Sequence, residues 1–262
     1  MKAAGVRGAM QIRPGIELAG ATDVGSVREN NEDRYSYWEP ASDEDFERKG
    51  RLLIVADGMG GHEGGQEASN IAVAAIEKSY AEAREGDPRT WLLLGFQAAH
   101  HQIQEFALKF PLLHGMGTTC TAVVILGNQA FYAHVGDSRL YLLRDSSIYR
   151  LTRDHSYVGR LVEQGIISPE EAAEHPQRNI LTAALGTGPS VQPESPEQPI
   201  SLESGDALLL CTDGLWSLVS DGEIQAALGA ETVDEACRRL VEQAKDRGGT
   251  DNITLEIARV GG

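Results

Sequence analysis

The run from Leu52 to Ala56 is unbroken in apolar residues and ends on a carboxylate, Asp57. So short and so apolar a run fits a strand covered on both faces, which requires layers on either side of it. Glycines follow at 58, 60, 61, 64 and 65, with His62 and Glu63 among them. Glycine lets the backbone bend sharply and lets another group approach the main chain. Taken singly, the stretch reads as a strand closing in an Asx-type turn. The chain repeats the device. Ala207 to Thr212 meets Asp213-Gly214, and Ala130 to Val135 leads through Gly136 to Asp137. Asp251 opens a fourth run, in which β-branched residues suit a strand. Four strand-terminal aspartates are hard to explain as turns alone. Converging carboxylates repel and must be neutralised by hard cations. The pattern therefore reads as a carboxylate-bridged multi-metal centre.

Around these runs the periodicity changes twice. Residues 1–15 show no clear period and read as a loose segment, and Ile16 to Ala21 as a first strand. Tyr35 to Trp38 resumes a strand pattern, and Ala41 to Gly50 reads as an acidic hairpin-type loop. From Gln66 onward, Ala68, Ile71, Ala72, Ala75 and Ile76 recur at helical spacing. A second helix follows Pro88, with Leu92, Phe96, Ala99, Ile103, Phe106 and Phe110 as one stripe, stopped by Pro111. Thr118 to Leu126, Ala130 to Val135, Leu140 to Arg144 and Ser147 to Thr152 then read as an antiparallel meander. Residues 154–189 interrupt it, as a lid or recognition flap or as a plain surface loop. Val191 to Ser201, Ala207 to Thr212 and Asn252 to Val260 complete the strands, with one helix (Val233 to Ala244) between the last two. No linker or repeat divides the chain, so 16–262 reads as a single domain. This order implies sheets packed together with helices outside.

The 262 residues suffice for a full core. A net charge of −16 argues against a nucleic-acid or anionic-membrane surface. It also repels a phosphorylated partner, so local cations have to supply the attraction. Three widely spaced cysteines, none in C-x-x-C, fit a reduced interior rather than a disulfide framework or zinc ribbon. No apolar run approaches a membrane span and no signal-peptide core opens the chain. The expectation is a soluble, cytoplasmic protein.

Mg²⁺ or Mn²⁺ takes six oxygens, many from water. Asp57, Asp213 and Asp251 are candidates to hold one such ion, with Asp57 bridging to a second. The Gly58 carbonyl and Asp33 are candidates for that second ion. Arg28, just before Asn31-Glu32-Asp33, is a candidate bidentate clamp for a phosphate. Two cations about 3.5–4 Å apart are a general device for in-line attack on phosphorus. The histidines offer no rival site: His62, His114 and His134 lack partners at ligand spacing, which argues against a zinc hydrolase. A cysteine phosphatase needs C-x5-R, and Leu126, Ser217 and Gln243 occupy the arginine position. No P-loop, kinase signature or G-x-S-x-G elbow is present.

The ordered motifs Arg28-x-x-Asn31-Glu32-Asp33, Asp57-Gly-Met-Gly-Gly-His62, Gly136-Asp137-Ser138-Arg139, Asp154-His155, Cys211-Thr-Asp213-Gly214-Leu-Trp and Gly249-Thr-Asp251-Asn252 resemble those of the metal-dependent Ser/Thr protein phosphatases. This is the PP2C (PPM) family, in its bacterial form, and the match runs from about Ile16 to Val260. The resemblance implies an α+β fold, a four-layer αββα sandwich of two mostly antiparallel sheets flanked by helices. It implies hydrolysis of phosphoserine and phosphothreonine by a metal-bridged hydroxide, reversing an intracellular Ser/Thr kinase. Asp57 then bridges two tight ions, Asp213 and Asp251 complete the first, and the Gly58 carbonyl and a water-mediated Asp33 the second. Asp137 joins Asp213 at a third, weaker ion. Arg28 binds substrate phosphate, Glu32 is a ligand or lies just behind one, and Asn252 and Asp154 play supporting roles. The expected partners are phosphorylated proteins, and the expected state is a monomer.

Two positions depart from the family. Met59 stands where animal members carry a proposed acid histidine, which leaves His62 as a candidate by proximity in sequence. Ala183 stands where bacterial relatives often have arginine. Two other readings remain at this point: a silent scaffold of the same fold, or a phosphatase of small phosphate esters.

Overall fold

A computed structural model describes residues 13–60, 63–230 and 232–261. Its elements in chain order are β1 (Ile16–Asp23), β2 (Asp33–Trp38), α1 (Asp43–Lys49), β3 (Arg51–Met59), α2 (Glu63–Glu82), α3 (Pro88–Lys109), β4 (Gly117–Thr118), β5 (Cys120–Leu126), β6 (Gln129–Val135) and β7 (Arg139–Arg144). They continue with β8 (Ser147–Arg150), α4 (Tyr157–Glu163), α5 (Pro169–Glu174), β9 (Ile200–Ser201), β10 (Ala207–Cys211), α6 (Asp213–Trp216), α7 (Asp221–Ala230), α8 (Val233–Asp246) and β11 (Ile253–Val260). One sheet runs β1-β11-β10-β7-β8 and the other β2-β3-β5-β6-β9, with β4 on β3. Every strand pairing is antiparallel.

The unbroken apolar runs follow from the layering. In β3, Leu53 and Val55 face the other sheet, where they meet Leu140, Leu208 and Leu210. Leu52, Ile54 and Ala56 point the opposite way, onto Ala68, Ala72, Ile76, Phe96 and Ile103 of α2 and α3. The other sheet does the same: Leu209, Cys211, Leu255 and Ile257 pack under Ile224, Leu240 and Ala244 of α7 and α8. Alternation is lost because neither face of a middle strand meets water. The result is the α+β four-layer sandwich, two antiparallel sheets flanked by helices.

Five local expectations change. Ala41 to Gly50 is not a hairpin loop: Ser42 caps α1 by accepting the Asp45 N–H, and Asp43, Glu44 and Asp45 sit in its first turn. The acidic run was a helix start. The expected meander breaks, because β5 and β6 lie in one sheet and β7 and β8 in the other. The chain crosses between sheets through Gly136, Asp137 and Ser138. Val191 to Ser201 forms a strand only at Ile200–Ser201, with one isolated bridge between Glu194 and His134. Among the described residues three helices, not one, lie between β10 and β11. Ahead of α7, Glu223 Oε2 accepts both the N–H and the hydroxyl of Ser220, and the Glu223 N–H donates to the Ser220 carbonyl; the Ser-x-x-Glu spacing was present in the sequence. The stripe of α3 is buried through Ile103, but the helix ends at Lys109 and leaves Phe110 half-exposed.

Most of the segment expected to be loose, 1–12 of 1–15, lies outside the described residues. Arg13 and Pro14 offer their carbonyls to the Arg51 guanidinium, and Gly15 accepts from Gly261.

Leu53 is fully buried between the sheets, whereas Leu112 is wholly exposed. Leu53→Ala is expected to cost about 2–5 kcal/mol in chemical denaturation. Leu112→Ala is expected to stay within about 0.5 kcal/mol of the parent.

Candidate metal centre

Strand pairing places the carboxylates. In the β2–β3 ladder Asp33 lies directly opposite Asp57, an arrangement that repels when both are charged. Asp213 starts α6 where β10 ends, and Asp251 lies two residues ahead of β11, the neighbour of β10. Asp137 sits in the crossing that feeds β7, the other neighbour of β10. Five aspartates spread over 219 positions of sequence thus gather at one end of the sandwich.

Their electrostatics show the gathering. Burial pushes the Asp57 carboxyl well above its usual range, and Asp33, Asp213, Asp137 and Asp251 each push it further. Asp33 rises to about 7, chiefly by burial, although the hydroxyls of Thr254 and Thr212 oppose the rise. Asp213 rises to about 6, by burial and then by Asp251. Asp137 is raised strongly by burial and by Asp213. One cation answers from the rim: Arg28 Nη2 donates to Asp251 Oδ2 at 2.7 Å, with the arginine half-exposed.

The donor set fits a hard dication. Asp213 Oδ1 is buried and accepts no hydrogen bond. A buried carboxylate oxygen left this way is costly unless something binds it. All the groups around it supply oxygen, which suits Mg²⁺ or Mn²⁺ rather than zinc. Gly58 adds a close main-chain approach: a Cβ there would lie 2.1 Å from the Gly65 carbonyl.

Comparison with known proteins bears on the same residues. A family model described as protein phosphatase 2C matches residues 28–248. The chain belongs to the protein phosphatase 2C family. It is 41% identical over 245 residues to the serine/threonine protein phosphatase PstP of Mycobacterium tuberculosis, covering 94% of this chain and 45% of that protein. The chain thus spans about half the length of PstP. It is 36% identical to protein phosphatase PhpP of Streptococcus pneumoniae, covering 92% of this chain and 96% of PhpP. The crystal structure of the M. tuberculosis phosphatase superposes with a TM-score of 0.83 at 40% identity, covering 95% of this chain and all of that one (100%). The PstP catalytic domain solved with two manganese ions gives 0.81 at 38% identity, covering 95% and 99% of the two chains.

Within this phosphatase 2C domain, the remaining sequence candidates find distinct places. Asn252 is a staple: its Oδ1 accepts the Glu32 N–H, and its Nδ2 donates to the Val24 and Asn30 carbonyls. It fixes the loop that carries Arg28. Glu32 packs against the start of α2, where a Gly65 Cβ would fall 1.9 Å from its Oε2. A carboxylate there complements the positive end of the helix dipole. His62 lies outside the described residues. Met59 pairs with Gly117 on β4. Ala183 packs against the α2–α3 side of the core, where no guanidinium is presented.

Several contributors escaped the sequence reading. The Asp57 carbonyl accepts the Thr119 N–H and the Thr118 hydroxyl, and the Asp57 N–H donates to Thr119 Oγ1. The Thr212 hydroxyl donates to Asp33 Oδ2 at 2.9 Å. Trp216 Nε1 donates to the Asp137 carbonyl, while its ring lies under Arg139, itself bidentate to Asp154. Paired hydroxyls at strand starts, as in Thr118-Thr119, were the available signal. The histidine reading is also corrected. His134, His155 and Glu194 bring one potential ligand atom each within 4.8 Å, the one such trio among the described residues. Their separation along the chain hid them.

A carboxyl whose pKa is higher in the folded state takes up protons on folding. The metal-free protein therefore loses stability as pH rises from the usual carboxylate range near 4 towards 7. Its melting temperature after chelation is expected to fall by several degrees across that window. Saturating Mn²⁺ is expected to abolish the fall, since metal competes with protons for the same oxygens. A flat profile in the chelated protein would count against the raised carboxyls.

Proposed function

We propose that the chain hydrolyses phosphoserine and phosphothreonine in proteins, using Mg²⁺ or Mn²⁺ held by its clustered aspartates. The observation that carries this reading is the buried, unsatisfied Asp213 Oδ1 among carboxylates whose pKa values are raised by one another. Relatives named as serine/threonine protein phosphatases support the substrate class. Asp57 would bridge two ions, with Asp213 and Asp251 completing the first site and the Gly58 carbonyl and Asp33 the second. Asp137 would share a third, weaker ion with Asp213. When bound, the ions activate water for attack on phosphorus and neutralise the phosphoryl oxygens.

The chain's own groups do the rest. Arg28 commits Nη2 to Asp251 and keeps further N–H donors for a substrate phosphate at the rim. Asn252 and the loop it staples hold that arginine in place. Thr118 and Thr119 fix the main chain of Asp57, so its carboxylate needs little reorganisation when it is used. Met59 offers no proton to the leaving oxygen, so that proton comes from another group. Residues 16–262 would act as one phosphatase domain, with 156–189 as a flap that tunes substrate choice. The partners would be a Ser/Thr kinase and its phosphorylated targets, met by a monomer. Three buried, unpaired cysteines fit a reducing compartment, which supports action in the cytoplasm.

Two measurements test the reading. Mn²⁺-dependent phosphate release is expected from phosphothreonine peptides in preference to sugar phosphates; the reverse preference would favour a small-ester phosphatase. Asp213→Asn is expected to lower turnover of p-nitrophenyl phosphate beyond the roughly 10–100-fold typical of losing a ligand's outer partner. Its far-ultraviolet circular dichroism is expected to stay unchanged. Near-normal turnover in that variant would reject the role of Asp213. No turnover by the parent with or without Mn²⁺ would leave only a scaffold.

A further inference from the structure

The trio of His134, His155 and Glu194 has the composition of a zinc site. Its hydrogen bonds say otherwise. His134 Nε2 faces two carbonyls, Gly136 O at 3.0 Å and Arg153 O at 3.1 Å, so that nitrogen bears the proton. Nδ1 then accepts the Thr121 hydroxyl at 2.8 Å. Both nitrogens are committed, burial holds the ring neutral with a pKa pulled down to about 4, and no lone pair is left for a metal.

The same bonds converge on one residue, Gly136. Gly136 accepts the His155 N–H at 2.7 Å and donates its own N–H to His155 Nδ1 at 3.2 Å. Its φ is +110°, and a Cβ there would lie 2.5 Å from Thr119 Cβ. A glycine in this conformation has no side chain to fix it, so outside bonds must set the two peptide planes that meet there: the bond to His155 Nδ1 holds the Val135–Gly136 peptide, and the bonds from the His155 N–H and His134 Nε2 hold the Gly136–Asp137 peptide. The next residue is Asp137. Behind His155, Nε2 lies 3.7 Å from Glu194 Oε2, which accepts the Arg153 N–H. Glu194 and His134 also exchange two main-chain bonds, at 2.8 and 2.9 Å. Thr182 in the flap donates to the His155 carbonyl.

We propose that His155 is a positioning residue for Asp137: by accepting the Gly136 N–H at Nδ1, it orients the Asp137 carboxylate toward the weaker ion. The inference rests on the proposed role of Asp137 in holding that ion. His155 and Glu194 bracket the flap at its two ends. The link therefore ties the flap's anchorage to the affinity of one ion and leaves the Asp57–Asp213–Asp251 group alone.

Asparagine and glutamine at 155 separate the two edges of the ring. Asparagine keeps an acceptor where Nδ1 stands; glutamine carries its polar atoms out to the Glu194 side. Mn²⁺ binding to the full chain, counted by electron paramagnetic resonance titration, is the readout. His155→Gln is expected to weaken the weakest Mn²⁺ by about tenfold and leave the tight ions unchanged. His155→Asn is expected to bind as the parent does. Equal binding by both variants, whether both match the parent or both are weakened, would overturn the proposal. Asp137→Ala is expected to lose the weakest ion outright. A third ion retained in that variant would instead remove the reading of Asp137 on which the proposal depends.

Discussion

Mutual repulsion among buried carboxylates is the constraint that organises this molecule. Asp33 and Asp57 face each other across a strand pair, and Asp213, Asp251 and Asp137 close on them from the other sheet. Burial in a poorly polarisable interior disfavours charge on each, and each disfavours charge on the rest. Without cations the cluster is a cost to the fold; with them it becomes a preorganised set of oxygen ligands. The surrounding structure is built to keep those oxygens where they are. Strand register fixes Asp33 against Asp57, threonine hydroxyls fix the Asp57 main chain, and the Trp216 indole fixes that of Asp137.

The rest of the sandwich serves this gathering. Two sheets covered on both sides give four layers that meet in three apolar interfaces. They make strand ends rigid enough to hold like charges close. The crossing at Gly136 to Ser138 passes the chain from one sheet to the other at the end where the aspartates meet. A continued meander would have left Asp137 on an ordinary hairpin. The deviation from the simplest strand order is thus what delivers the fifth carboxylate.

Much of this was legible in the sequence. Apolar runs ending on Asp57, Asp137 and Asp213, and the run opening after Asp251, gave the strands and the acidic ends together. The helical stripes of α2, α3 and α8 were equally plain, because burial on one face leaves a strong period. What the sequence hid was of two kinds. Short elements left weak marks: α1 rests on its Ser42 cap and acidic first turn, which resemble loop chemistry, and α6 and α7 show acidic first turns. Contacts across the fold left no local trace: Thr212 on Asp33, Asn252 on three loop residues, and the meeting of His134, His155 and Glu194 depend on pairings remote in sequence. Sequence spacing alone could not join residues 60 positions apart, so the histidines passed as unrelated.

The central claim is that dications sit among these aspartates. Anomalous diffraction from crystals soaked in Mn²⁺ tests it most directly. The account predicts peaks bounded by Asp57, Asp213 and Asp251, with a further, weaker peak beside Asp137. Peaks confined to the His134–His155–Glu194 trio, or none at the acidic end of the sandwich, would contradict it.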